Sequence, residues 1–219
     1  GAVVDIIVRR RETGGLVNIQ ATNAPHMLFS EDNVVAKFNH NKSQWGLFYN
    51  LSARNFKKTY TDIDETYVLE NKTIHRVQEG LHDQNKHFTH NIDLSYNLTE
   101  QDKYVFNVVF RNSVYDAPCL NQSNKLYDAA DADNYIFSRL KNKQSSYTPS
   151  LDLYYQRTLP KNQMLTMSVT GTLMHTDNNR LYHEYTPQAE DLAMIETDVT
   201  GNKRSIIGEA IYDKRFKFL

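Results

Sequence analysis

The chain has 219 residues, a formal charge of −1, and a composition that is 40% hydrophobic and 23% charged. A near-neutral balance removes the electrostatic case for nucleic acid or another polyanion as partner, and no stretch approaches the roughly 18 consecutive apolar residues of a membrane-spanning helix. A membrane β-barrel stays open, because every second residue of a barrel strand can be polar, whereas a single cysteine leaves neither a disulfide framework nor a cysteine metal site.

Residues 1–10 read as a mostly apolar strand that runs into Arg9, Arg10 and Arg11. Residues 13–22 read as a second, with Val17, Ile19 and Ala21 alternating with Asn18, Gln20 and Thr22. A period of two is a strand with one apolar and one polar face. The third strand, 33–39, sets Val34, Ala36 and Phe38 against Val35, Lys37 and Asn39. Asn41, Lys42 and Ser43 form a hairpin link into a fourth, where Trp45, Leu47, Tyr49, Leu51 and Ala53 alternate with Gln44, Gly46, Asn50, Ser52 and Arg54, interrupted by Phe48.

The alternation resumes at Ile92, Leu94, Tyr96 and Leu98, opposite Asn91, Asp93, Ser95 and Asn97. A short link at 99–103 leads to Tyr104, Phe106, Val108 and Phe110, and another at 159–162 joins a strand of Leu151, Leu153 and Tyr155 to the cleanest strand of all. There Leu165, Met167, Val169, Gly171 and Leu173 alternate with Thr166, Ser168, Thr170 and Thr172. A last strand covers 206–212. The stretches 112–147 and 175–203 read as long polar connections, with lone Cys119 an ordinary loop residue in the first.

Strands with an apolar face and a hydroxyl-rich, uncharged face, joined by alternating short and long links, are the pattern of an outer-membrane barrel with tight periplasmic turns and extended outer loops. If the links at 41–43 and 99–103 lie at the same end, the chain rises once and descends once between them. The segment 59–84 is then one tall hairpin with its tip near 70–72. Trp45, Tyr96, Tyr104 and Tyr155 fall close to short turns, where an interfacial aromatic girdle would sit.

The opening Gly-Ala-Val-Val-Asp-Ile-Ile-Val-Arg-Arg-Arg, followed by Glu-Thr-Gly14-Gly15 and an alternating strand, resembles the plug-to-barrel junction of a TonB-dependent receptor. The stretch 91–98, its short charged turn and 104–110 are similar to barrel hairpins of such receptors in Bacteroidota. The resemblance implies an all-β fold: residues 1–11 as the last plug strand, and 12–219 as the first part of an antiparallel transmembrane β-barrel of about 22 strands with a plugged lumen. It implies a bacterial outer-membrane location, import of a nutrient such as a glycan, a peptide or a metal chelate, energy from the TonB complex through a region upstream, and a surface lipoprotein partner. The chain reads as a piece of a longer protein whose localisation signal lies upstream. Arg9 to Arg11 would then pair with carboxylates at the periplasmic rim, or simply end a solvated strand.

Candidate chemistry is sparse. Asp128, Asp131 and Asp133 offer oxygen ligands for Ca²⁺ but lack the EF-hand order, and His82, His87 and His90 fit no zinc spacing. Ser138 and Lys141 match S-x-x-K without its companion motifs, so neither a catalytic constellation nor a cofactor site is expected. Lys37, Asn50, Arg54, Asp93, Arg111, Thr166 and Thr170 fall in polar-face register and are the lumen-facing candidates. Two alternatives stay open: a soluble β-sandwich binding module, in which the same residues face water, and a non-transporting barrel serving as adhesin or assembly factor.

Overall fold

The structure is a computed structural model, which describes residues 13–26 and 28–214; the expectations for residues 1–11 lie outside that range. Ten strands follow one another: β1 (Thr13–Ala24), β2 (Phe29–His40), β3 (Ser43–Thr59), β4 (Ile63–Leu69), β5 (Lys72–Leu81), β6 (Asp83–Glu100), β7 (Tyr104–Asp128), β8 (Asp131–Leu159), β9 (Gln163–Tyr185) and β10 (Asp191–Lys214). All pairings are antiparallel, in a single open sheet of order β1-β2-β3-β6-β7-β8-β9-β10, with β4 on β5 and β5 on β7.

The three short links lie at one end, as the period-two reading requires. Ser43 pairs with both His40 and Leu98, and Thr158 N–H donates to the Lys103 carbonyl at 2.9 Å. Each turn takes the left-handed backbone at a polar residue: Asn41 (φ 51°), Asp102 (φ 60°), and Lys161 with Asn162 (φ 63° and 56°). The first link is tighter than the sequence suggests, since Ser43 joins the ladder opposite His40 and leaves two loop residues.

The tall hairpin between 59 and 84 is also present. β4 and β5 close it at Glu70 and Asn71, both with positive φ (49° and 64°), which is the primed turn suited to strand twist. It continues β3 and β6 beyond a kink, where the backbone of Thr61 lies so near Gly80 that a Cβ there would stand 2.6 Å from the Thr61 nitrogen.

The long polar connections are different from expectation. Residues 112–147 are the continuation of β7 and β8, which pair up to Asp128 and Asp131 around a tip at Ala129 and Ala130; residues 175–185 and 191–203 likewise belong to β9 and β10, joined by a turn at 186–190. Cys119 therefore sits in a strand, at the bulge between Ala117 and Leu120, and its thiol donates to the Gln84 carbonyl at 3.1 Å. The reason is that polar composition removes the alternation without removing the backbone's need for partners. A ladder wet on both faces satisfies that need as well as one with an apolar side.

Among the described residues the sheet has no second layer. Ala117 and Leu126 are its buried apolar residues among those described, and no large side chain is fully buried. The accessible surface is 16192 Å², against about 10,400 Å² for a globular monomer of this mass. Two sandwiched sheets would bury their inner faces against each other, so the sandwich alternative finds no counterpart in this architecture.

Candidate functional site: two chemically opposite faces

In an antiparallel sheet, directly paired residues point to the same side, so the registers sort every side chain by face. One row crosses the whole sheet as Val17, Ala36, Leu47, Leu94, Phe110, Leu151, Gly171 and Ile206, apolar at each of eight strands. The next row towards the short turns is Gly15, Phe38, Trp45, Tyr96, Val108, Leu153, Val169 and Gly208. Rings cluster along its turn-side edge: Trp45 and Tyr96 lie 4.3 Å apart between centroids, and Tyr96 meets Phe106 edge-on at 6.4 Å. Met167, Val169 and Leu173 are 44%, 43% and 48% exposed, while Thr166, Thr170 and Leu165 are half-buried.

From Leu165 to Leu173 the apolar band spans about 27 Å along the strand at ~3.4 Å per residue. Above it the apolar pattern stops. At that border Tyr147 and His175 lie 5.1 Å apart.

The opposite face carries Lys37, Asn50, Arg54, Asp93, Arg111, Thr166 and Thr170 together, as the periodicity groups them. Its middle row runs Leu16, Lys37, Gly46, Ser95, Val109, Asp152, Thr170 and Ile207, polar at four of eight strands. Glycine at 46 leaves room for Ser95, whose hydroxyl would lie 2.4 Å from an added Cβ. Another row is an amide ladder. Asn50 donates to Asn33 at 2.8 Å, Asn91 to Asn50 at 3.2 Å, and Ser113 to Asn91 at 2.8 Å, tying four strands side by side.

Two of the cations on this face, Arg111 and Arg54, are engaged by neighbours. The Arg111 guanidinium bonds Asp152 on β8 rather than Asp93, which stands opposite it on β6, and Thr170 donates to the same Asp152 at 2.7 Å. Asp152, Asn33 and Ser113 are the members that the sequence reading left out, and Asn91 it placed in polar register without naming it a candidate; the Leu151-Asp152-Leu153 alternation is the signal that identifies Asp152. Arg54 lies 5.3 Å over the Phe29 ring and opposite His87. Burial, and then the Arg54 charge, push the His87 pKa down.

Beyond the band, where β4 and β5 meet β6 and β7, the sheet forms a recess of mixed lining. Its volume is about 250 Å³, and Tyr60, Thr61, Asp83, Asn85, Gln122 and Asn142 line it among others. Asp83 is buried and accepts from the Ser123 hydroxyl at 3.1 Å, and the paired Asn124 and Ser138 are buried beside it. Further out, Tyr182 donates to Glu184, and burial together with that bond pushes its pKa up to about 12, against the opposing charges of Arg76 and Arg180.

The metal and acylase candidates do not assemble. No group of three His, Cys, Asp or Glu side chains that could hold a metal forms among the described residues, so Asp128, Asp131 and Asp133 do not converge; Asp128 instead accepts from the Ala130 N–H at 2.9 Å. His82 stacks edge-on with Tyr60, while His87 and His90 fall on opposite faces of β6. The pleat also separates Ser138 from Lys141, the first buried on the polar face and the second exposed on the other. No family model, curated protein or solved structure matches the chain.

Proposed function

We propose that this chain is part of the wall of an outer-membrane β-barrel of the TonB-dependent receptor kind, with the apolar rows toward lipid, the amide and hydroxyl rows toward the lumen, and uptake of a nutrient as its role. The observation that carries this reading is the uninterrupted apolar row across eight strands, with the amide ladder on the reverse face and rings along its edge near the short turns. In water a single sheet with such a face has nothing to bury it against; in a bilayer, hydrocarbon serves that purpose, and closure of the wall with further strands would meet the backbone groups left open on β1 and β10. The tall paired hairpins on the other side of the band, and the recess at Asp83 and Asn142, supply the hydrogen-bonding surface that a solute would meet first. Glycan, peptide and metal chelate all fit that chemistry.

Two measurements test the two parts of the reading. Spin labels placed singly along 165–173 in a Cys119→Ser background should alternate, with odd positions open to dissolved oxygen and even positions to a water-soluble nickel chelate. Uniform access to the nickel reagent would exclude a lipid-facing wall. In cells, deletion of the protein should abolish uptake of a nutrient in a manner dependent on the proton-motive force; uptake that survives deletion would exclude the import role and favour an adhesin or assembly barrel.

A further inference from the structure

We propose that two neighbouring recesses beyond the apolar band form a binding site for a short peptide with free ends, with the terminal ammonium held at Asp83 and the terminal carboxylate at Arg180. This deepens the import reading, on which the identity of the peptide as the imported solute rests. The first recess is the one where β4 and β5 meet β6 and β7; Asn85, Leu120, Gln122, Leu140 and Asn142 of its lining carry polar-face register. The second, of about 430 Å³, is lined by Asn178, Arg180, Tyr182, Ile195, Thr197 and Val199 on the same face of β9 and β10. A single register row, Asn85, Leu120, Asn142 and Arg180, runs from the first into the second.

The first recess holds an anion without a cation. Asp83 is 9% exposed. Its Oδ1 accepts from the Ser123 hydroxyl at 3.1 Å and its backbone carbonyl from the Thr59 hydroxyl at 3.2 Å, while Oδ2 is buried and has no partner among the described residues. Asn142 Oδ1, on the same lining, is buried and unpartnered too. No Lys, Arg or His lines this recess. The nearest cations in sequence and register, Lys57 and Lys58 in the β3 bulge and Arg139 opposite Ser123, are exposed, and none pairs with Asp83. A carboxylate so placed calls for a positively charged donor, and an ammonium group brings three N–H donors at once.

The second recess holds a cation without an anion. Arg180 is exposed, makes no ion pair, hydrogen bond or ring contact among the described residues, and stands opposite Asn142 and Thr197. Asp177, Glu196 and Asp198 belong to the other face of the sheet, and Glu184, two rows farther from the band, is bonded by Tyr182. Of the other cations near it on this face, Arg76 stands opposite Glu65 and Asp128, and Lys203, opposite Met174 and three rows nearer the band, lines neither recess. A guanidinium matches a carboxylate with paired donors. Asn85 and Arg180 are three strands apart and Asp83 lies two residues beyond Asn85, so the two charged residues stand about 16 Å apart at the backbone. An extended peptide advances ~3.4 Å per residue, and about five residues carry its termini across that gap, with Leu120, Leu140, Ile195 and Val199 beside it for apolar side chains. A neutral glycan leaves both charges unmet, and an anionic metal chelate meets Arg180 alone.

The test uses the whole protein in detergent micelles and calorimetric titration with pentaalanine, the same peptide lacking its α-amino group, and the same peptide as its C-terminal amide. A hydrogen bond to a charged group is worth about tenfold or more in affinity, so wild type should bind pentaalanine tighter than either analogue by at least that factor. Asp83→Asn should erase the preference for the free amine and keep that for the free carboxylate, and Arg180→Gln should do the reverse. Because the analogues remove each charge from the ligand, wild type decides the matter even where a variant fails to fold. Equal affinity for the three peptides, tighter binding of a neutral pentasaccharide or of ferric citrate, or a folded variant that keeps the preference assigned to its residue overturns the proposal. Binding with the expected ratios but without peptide uptake driven by the proton-motive force overturns the import reading and leaves the site in place.

Discussion

At the scale of single residues, neighbouring positions of β9 have opposite requirements. Val169 sits in the apolar rows and Thr170 in the polar row beside Asp152. A charge at mid-bilayer on a barrel's lipid face costs roughly 2 to 4 kcal/mol, so Val169→Arg should strongly reduce assembly into vesicles and Thr170→Arg should do so far less. Gel-shift folding yields for the two variants check this, and equal tolerance would contradict the register. On the polar face, Asn50→Leu removes one donor and one acceptor from the four-membered ladder, an expected loss of about 1 to 2 kcal/mol in denaturant unfolding from micelles. A third residue gives a pH dependence. The His87 pKa is depressed by burial and by Arg54, so the unfolded chain binds its proton more readily than the folded one. Stability linked to this residue is then present above the ordinary histidine range and lost as pH falls through it. Unfolding midpoints measured across that range should decline toward acid in wild type and decline less in His87→Asn.

At the scale of elements, the legible part of the sequence is the part with unequal faces. Strands such as 165–173 carry a period-two signal because lipid or core must take one side, and the polar-face residues Lys37, Asn50, Arg54, Asp93, Arg111, Thr166 and Thr170 followed from that signal alone. Residues 112–128, 131–147, 175–185 and 191–203 lie largely beyond the band, polar and apolar residues are mixed on both faces, and the pattern that marks a strand disappears although the ladder continues. Pairing between distant segments has no local signature there. The amide ladder was hidden for a similar reason, since Asn33, Asn91 and Ser113 meet across four strands and not along one. The kink between the paired stretches β3–β6 and β4–β5 does leave a trace, in Gly80. Alanine there would press on the Thr61 backbone, and overpacking of this kind costs typically about 1 to 3 kcal/mol. Gly80→Ala should therefore raise amide exchange at 59–62 and 80–84 while leaving 165–173 protected; unchanged exchange at the kink would show that the recess is not held by this contact.

At the scale of the molecule, the question is what replaces a core. A protein of this size folded in water should bury most of its apolar surface, yet here Ile206 is 84% exposed and only Ala117 and Leu126 among the described apolar residues are buried. Hydrogen bonds along the ladders contribute little net stability when water competes for the same groups, and among the described residues β1 and β10 each have a single neighbour, which leaves backbone groups open for non-native pairing. Ordering the backbone costs about 1 to 2 kcal/mol per residue, and a single sheet in water has too little apolar burial to offset it. Supplied with a micelle or bilayer, the apolar rows leave water and the same ladders become worth keeping. The chain should accordingly aggregate or remain unfolded when refolded in buffer alone, and should acquire strand circular dichroism and slow amide exchange across 165–173 when refolded with detergent or lipid. A monodisperse, cooperatively unfolding monomer in detergent-free buffer would mean that the exposed apolar rows are covered by something other than lipid, and the wall reading would have to be abandoned.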